Sequence, residues 1–413
     1  MRASIVLKLG RLQYSKPSVT ESYIGRNLSK MLEYCSREIP HYHERQDYSD
    51  GARRGDVKSL PLIDKSVVRG NIGDFTRPGT DLEKMWRNVS SGSTGEPMAC
   101  YFDRYTASVV DKATYYFPMF DRGYRVNHRL GKQSSRELHD WWMDLGLMRE
   151  RGIDVMEDPM KSIDDMVNWG ADCLYFSPSF GQTLAIANNN AGRPLGAEVV
   201  FTSNETIFPH VTELLEDSFG GPVVDKYGSA EFPGVAWTCE EGNYHLVPEQ
   251  LVEVLDHRGE QVSPGETGSL VLTNLHNRVM PLIRYNTHDM AIMGEYDGCQ
   301  CGRRWPFIRR IEGRSNDFLV DVDGKPITPM ALSPVHKEFK RIREVKVVQK
   351  RKGQATINIV LGNPGDDPLE IAGVQKVLKK FRGRIRFEVR VVDSISGMGS
   401  KRRLAESSVD PDW

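Results

Sequence analysis

Apolar positions along this chain change period several times, and each change marks an element. Ile24, Leu28, Met31, Leu32 and Cys35 recur at three- and four-residue steps, which predicts an amphipathic helix within 22–46. Leu60-Pro61-Leu62-Ile63-Asp64-Lys65 predicts a turn into a short helix. From 105 to 175 apolar residues again keep helical spacing, between short apolar runs. The period then shortens. Segments 198–202, 223–225, 251–255 and 269–273 read as strands, and 206–219 places Val211, Leu214, Leu215 and Phe219 on one helical face. Strand, helix and strand in succession predict parallel pairing in an α/β fold. The turn residues at 256–259 and 264–268 predict an added antiparallel hairpin.

Beyond 340 the pattern is different. Segments 345–349 and 355–361 alternate like strands with one wet face. Ile371, Val374, Val377, Leu378 and Phe381 line one side of a helix over 368–381, and 385–392 alternates again. Two strands, a helix and a strand make a small α+β module. The expected organisation is a large multi-subdomain α/β domain over 1–313 with parallel and mixed sheets, then 318–413 as the small domain. The boundary falls in Gly313-Arg314-Ser315-Asn316-Asp317.

Composition narrows the function classes. A chain of 413 residues exceeds one ordinary core. A formal net charge of −1 offers no field to recruit nucleic acid or an anionic membrane. No apolar run approaches the roughly 20 residues of a membrane span. Lys8 and Arg11 interrupt the apolar N-terminal stretch, which argues against a signal peptide. Six cysteines are too few for a disulfide framework in a chain this long. A reducing cytoplasm is the expected compartment, where clustered cysteines point to metal.

Five motifs carry candidate chemistry. Ser90, Ser91, Gly92, Ser93, Thr94 and Gly95 combine hydroxyl donors with glycines that let backbone approach an anion. No Gly-Lys-Ser/Thr follows, so this is not a Walker loop, and composition alone also fits a surface linker. The run 98–102 reads as a strand, so the loop joins two strands. Asp225-Lys226-Tyr227-Gly228-Ser229-Ala230-Glu231 follows a predicted strand, at the end where α/β sheets hold ligands. Glu231 there suits Mg²⁺, or is a solvated turn residue. Asp289, at the end of Pro281-Leu282-Ile283-Arg284-Tyr285-Asn286-Thr287-His288-Asp289, can accept from ribose hydroxyls or cap its own backbone. Arg309-Arg310-Ile311-Glu312-Gly313-Arg314 and Gly399-Ser400-Lys401-Arg402-Arg403 are basic clusters, which by themselves also describe solvated surface.

Separately, Cys299-Gln300-Cys301 with Cys239 and His245 upstream supplies three thiolates and one imidazole. That set satisfies a closed tetrahedral Zn²⁺ site of structural type. The aromatic residues Tyr115, Tyr116, Phe117, Phe120, Trp141, Trp142 and Trp169 either wall an aromatic pocket or form core.

In this order and spacing the five motifs resemble the adenylate-forming superfamily, and most the phenylacetate–coenzyme A ligase and CapK-like group. The likeness runs from Leu60 to Lys401, and similar Cys and His positions recur in that group. It implies ATP-dependent activation of a small carboxylic acid, aromatic acids among the options, to an acyl-adenylate, followed by transfer to coenzyme A. It implies that Ser90 to Gly95 cradle the ATP phosphates and that Ser203, Asn204, Glu205 and Asp225 to Ser229 flank the adenine. Glu231 would hold Mg²⁺, Asp289 the ribose, with Arg310 or Arg314 assisting. Lys401 would meet the acyl carboxylate and α-phosphate from a mobile domain hinged at 314–317. An amine, hydroxyl or carrier protein as acceptor, a non-catalytic nucleotide binder, and a homodimer remain alternatives within this resemblance. The chain departs from the group at His288, where relatives have Gly, at Asn316, and at Gly399-Ser400 before Lys401.

Overall fold

The computed structural model describes residues 2–43, 45–90, 97–135, 142–295, 298–332, 342–361, 367–395 and 404–409. Two compact units divide the chain. The first holds residues 1–204, 214–287 and 292–310, and the second 205–213, 288–291 and 311–413.

The first unit opens with helices α1 (Arg2–Leu12), α2 (Pro17–Glu38), α3 (Gln46–Arg54), α4 (Lys65–Gly70) and α5 (Ile72–Phe75). The helix expected over 22–46 ends at Glu38, because Pro40 forces Ile39 into extended backbone, with φ −111° and ψ 120°. Strands β1 (Trp86–Val89) and β2 (Ala99–Phe102) form an antiparallel hairpin. The Ser/Gly-rich segment is its connection, and Ser90 closes the neck. Its amide donates to the Met98 carbonyl at 2.9 Å, and its hydroxyl accepts from the Met98 amide at 2.9 Å.

The remaining elements of this unit build one sheet. Helix α6 (Asp111–Asp121) precedes β3 (Arg129–Gln133) and β4 (Arg149–Ile153). Then come α7 (Pro159–Trp169), β5 (Cys173–Phe176), α8 (Pro178–Asn190), β6 (Val199–Ser203), α9 (Pro209–Phe219) and β7 (Val223–Tyr227). Strands β8 (Ala236–Thr238), β9 (Tyr244–Leu246), β10 (Gln250–Leu255), β11 (Thr267–Asn274), β12 (Tyr285–Met293) and β13 (Phe307–Arg314) follow. The eleven strands run in the order β10-β11-β12-β13-β9-β8-β7-β6-β5-β3-β4. Strands β4, β3, β5, β6 and β7 pair in parallel, while β7–β8, β8–β9 and β10–β11 are antiparallel. The sheet is therefore mixed, as the sequence predicts. Strands β3 and β4 lie in the stretch that reads as helical, since Arg129–Gln133 and Arg149–Ile153 carry too few apolar residues to show a strand period.

Helix α6 serves two cores. Ala113 and Phe117 pack with Ile5 and Leu9 of α1 and with Trp237, Cys239, Val247 and Trp305. Met119 packs with Leu130, Cys173, Val199, Phe201 and Val224 on the parallel strands, with Tyr115, Tyr116, Phe120 and Tyr175 at the margin. The aromatic residues of this helix are thus largely core, while Trp141 lies outside the described residues.

In the second unit β14 (Leu319–Val320) pairs with β15 (Pro326–Ile327). Strands β16 (Ile342–Arg351), β17 (Gln354–Leu361), β18 (Arg386–Val391) and β19 (Ala405–Ser407) form a sheet in the order β18-β17-β16-β19. Along β17, Ala355, Ile357 and Ile359 are buried and alternate with half-exposed Thr356 and Asn358. Val374, Leu378 and Phe381, on the helix Asp367–Leu378 and the turn after it, cover that face. This is the small α+β module expected from the alternation. No helix among the described residues is long and apolar enough to cross a membrane.

Candidate functional site

Two of the sequence motifs and the Leu60-to-Lys65 segment meet in the first unit, joined by two adjacent residues. Arg284 is left-handed at φ 51° and 4% exposed. Its Nε and Nη2 meet the Glu253 carboxylate at 3.2 and 3.1 Å, and Nη1 donates to the Lys58 and Leu60 carbonyls at 2.8 and 2.6 Å. Ile63 bridges Tyr285, its amide donating to the Arg284 carbonyl at 3.1 Å. The Tyr285 hydroxyl in turn donates to Glu231 Oε1 at 3.2 Å. Leu60-to-Lys65, Asp225-to-Glu231 and Pro281-to-Tyr285 are thereby held as one constellation. Asp64 caps α4 through its carboxylate, which accepts from the Ser66 and Val67 amides at 2.9 and 3.1 Å.

Glu231 is buried, with 8% exposed, in a tight turn. The Ser229 amide donates to the Phe232 carbonyl at 2.8 Å, and its hydroxyl accepts from the Phe232 amide at 3.2 Å. Gly228 is required there, because a Cβ would stand 2.6 Å from the Pro233 carbonyl oxygen. Tyr227 ends β7 half-buried. Asp225 turns its carboxylate into the protein: the Thr202 and Tyr244 hydroxyls donate to it at 2.5 and 2.6 Å. Burial pushes its carboxyl up to about 6, against the pull of those two hydroxyls. Lys226, 7% exposed, points to the other face, where Nζ donates to the Tyr115 carbonyl at 3.1 Å.

Ser203 and Asn204 end β6, with Ser203 buried and Asn204 left-handed at φ 75°. Asn tolerates that conformation better than most residues. Glu205 is half-buried. In the second unit Asp289 pairs with Arg314, Oδ1 to Nε, at 3.5 Å; Arg310, at the end of the first unit, is exposed. His288 is exposed and left-handed at φ 59°. A glycine meets that backbone demand without strain, which is the physical sense of the Gly in the resembling group. Ser91, Gly92, Ser93, Thr94, Gly95 and Lys401 lie outside the described residues.

The four residues expected to bind metal converge in the first unit. One ligand atom each from Cys239, His245, Cys299 and Cys301 lies within 4.8 Å of the others. Cys239 and Cys299 sulfurs are 3.7 Å apart, and the Cys301 sulfur is 3.2 Å from His245 Nε2. A tetrahedron with metal–sulfur bonds of about 2.3 Å has an edge of about 3.8 Å, so the donor set fits zinc. Burial and the nearby Arg303 lower His245 to about 4, leaving the imidazole neutral as a ligand must be. Burial raises the Cys239 thiol to about 12, so its thiolate form lacks compensation without a cation.

Sequence reasoning passed over Arg284, Glu253 and Tyr244. Arg284 stands inside a recognised motif, and the signal for it is a lone arginine flanked by Ile283 and Tyr285, both buried.

No protein-family model matches the chain. Known proteins do. The phenylacetate–coenzyme A ligase of Escherichia coli K12 is 31% identical over 370 residues, 81% of this chain and 80% of that protein. The enzyme of the same name from Thermus thermophilus is 24% identical over 377 residues, 82% of this chain and 80% of its own. Protein CapK of Staphylococcus aureus is 23% identical over 369 residues, 86% of this chain and 80% of its own. Among solved structures, a 2-hydroxyisobutyryl-CoA ligase in the postadenylation state with 2-HIB-AMP superimposes with a TM-score of 0.79. That likeness spans 98% of this chain and 92% of the other at 17% identity. With motifs, fold and the Escherichia coli relative in agreement, the chain belongs to the phenylacetate–coenzyme A ligase family of adenylate-forming proteins.

Proposed function

We propose that this chain uses ATP to activate a carboxylic acid as an acyl-adenylate and then passes the acyl group to coenzyme A. The observation that carries this reading is the Ile63–Tyr285–Glu231 linkage, which gathers two of the five motifs and the Leu60-to-Lys65 segment around one buried carboxylate. In the first step an oxygen of the acid attacks the α-phosphorus, and pyrophosphate leaves with the bridging oxygen. In the second the thiol sulfur attacks the acyl carbon, the thiol proton is lost and AMP departs.

The residues divide that work. Glu231 offers a hard oxygen donor for Mg²⁺, which would neutralise charge on the nucleotide phosphates. The loop from Ser90 to Gly95 would cradle the phosphates. Ser203, Asn204, Glu205, Asp225, Tyr227, Gly228 and Ser229 would border the adenine, while the Lys226 side chain turns instead to Tyr115 and Tyr175. Asp289 would accept from the ribose hydroxyls, with Arg310 or Arg314 in support. Lys401 would place an ammonium where the carboxylate meets the α-phosphate, carried by residues 318–413 about a hinge at 314–317. Cys239, His245, Cys299 and Cys301 would hold one structural Zn²⁺.

Acid-dependent ATP–pyrophosphate exchange tests the first step, and coenzyme A consumption tests the second. Lys401→Ala is expected to slow exchange by about 10²–10³-fold while Arg402→Ala does not. Exchange by no acid in a broad aryl and aliphatic panel would sink the reading. Elemental analysis should return one zinc per chain, and Cys301→Ser should lower the melting temperature. Zinc-free protein of unchanged stability would remove the metal.

A further inference from the structure

The face of the parallel strands beneath α6 is apolar at one end and charged at the other. Leu130, Cys173, Val199, Phe201 and Val224 form its core. Toward the carboxyl ends of the same strands come Lys132, Tyr175, Ser203 and Lys226. Strand register puts them side by side, since Lys132 pairs with Tyr175, Tyr175 with Phe201, and Ser203 with Lys226. Side chains two positions apart share a face. The apolar core therefore gives way to two lysines where parallel sheets hold their ligands.

Both ammonium groups look onto the same two rings. Lys226 Nζ lies 3.7 Å from the Tyr115 ring centre and 5.4 Å from that of Tyr175. Lys132 Nζ lies 4.9 and 5.9 Å from the same centres. Lys132 also pairs at 3.3 Å with Glu150, whose carboxylate accepts from the Tyr116 hydroxyl at 3.2 Å. Among the described residues no carboxylate pairs with Lys226. Glu150 thus pairs with half-buried Lys132, and it and Asp225 act on enclosed Lys226 only at longer range. A buried charge without a partner is costly, and ring faces offset only part of that cost. Burial, reinforced by the charge of Lys132 and only partly opposed by Glu150 and Asp225, pushes the Lys226 amine well below its usual range. An arriving anion would reverse that shift.

We propose that the acid activated by this chain carries a second anionic group, most simply a second carboxylate, and that Lys226 with Lys132 binds it. Lys226 is then a specificity-determining residue. The carboxylate to be adenylated meets the nucleotide motifs, and the distal one reaches under α6 to the lysines. Tyr227 and Gly228, the next residues of the same strand end, belong to the adenylation motif, so one strand serves both ends of the acid. This inference rests on the adenylation reading above.

The test is pyrophosphate exchange with chain-matched pairs of mono- and dicarboxylic acids, aliphatic and aryl, on wild type, Lys226→Met and Lys132→Met. Wild type is expected to favour the diacid of matching length. Lys226→Met is expected to cut its kcat/KM about 10²-fold and to leave the monoacid equal or better, as removal of one partner from an enclosed charge pair does. A wild-type preference for monoacids, or an equal loss for every acid in Lys226→Met, would overturn the proposal while leaving adenylation intact. If no acid supports exchange, the adenylation reading fails first, and thermal shifts without ATP decide the anion site. Dicarboxylates should then raise the melting temperature of wild type and not of Lys226→Met, and no shift with any dicarboxylate ends the proposal.

Discussion

Two buried cations of the first unit, Arg284 and Lys226, are treated in opposite ways. The Arg284 guanidinium is spent on Glu253 and two backbone carbonyls, and its position joins segments far apart in sequence. Lys226 has one carbonyl and two ring faces. The first arrangement uses four of the five guanidinium N–H groups and has little capacity left for a ligand. The second is under-compensated and gains from one. Hydrogen-bond saturation therefore separates a charge that organises the fold from one that awaits a substrate, though both are more than nine-tenths buried.

The comparison can be broken most directly at Arg284. Burial already holds the Glu253 carboxyl above its usual range while Arg284 pulls it down, so Arg284→Ala strands that carboxylate. A loss of about 3–5 kcal/mol is expected, read by urea unfolding or as loss of soluble protein. Wild-type stability in the variant would show that Arg284 is not structural. Lys226→Met should do the reverse and stabilise the ligand-free protein by about 1 kcal/mol, the usual sign of a site held ready at the expense of stability. A destabilised Lys226→Met would instead place the lysine among the structural cations.

Asp225 tests the same contrast with opposite charge. Its folded value of about 6 exceeds the ordinary 3.8, so the folded state holds the proton more tightly than the unfolded chain. Its contribution to stability is full below about pH 4 and is lost as pH rises through about 6. Asp225→Asn should flatten that part of the stability profile and raise the melting temperature at pH 8. An unchanged slope between pH 4 and 6 would mean that the carboxyl is not held protonated there. The smallest effect is expected at His288, where His288→Gly relieves a left-handed side-chain residue and should change stability by under about 1 kcal/mol. A larger loss on unfolding would show that the imidazole makes contacts worth more than the strain.

Much of this arrangement is legible in residue order. Alternation at 355–361 and helical spacing at 368–381 suffice for the small module, because one buried face writes a clear period. The metal ligands are legible since Cys299 and Cys301 have few other uses so close together. Strands β3 and β4 are not, because Lys132 and Glu150 interrupt the apolar pattern at the very positions that matter for the charged end of the sheet. Lys226 is visible within its motif, but which face its ammonium takes depends on the register of β6 against β7, and that is a property of the sheet. Arg284 needs Glu253 and the Lys58 and Leu60 carbonyls, from two distant segments, and no local spacing encodes them.

Helix α1 packs against Trp237, Cys239 and Trp305, and Lys8 reaches Glu249 at 2.6 Å across 241 positions of chain. On a ribosome adding about 5–20 residues per second, that span takes roughly 10–50 s to make. Over that time Ile5 and Leu9 gain Ala113 and Phe117 of α6 first, and the rest of their surface, Trp237, Val247 and Trp305, comes only later. Docking of α1 is thus completed late in biogenesis, and nascent chains of this protein hold that helix against α6 with one side of its seat still missing.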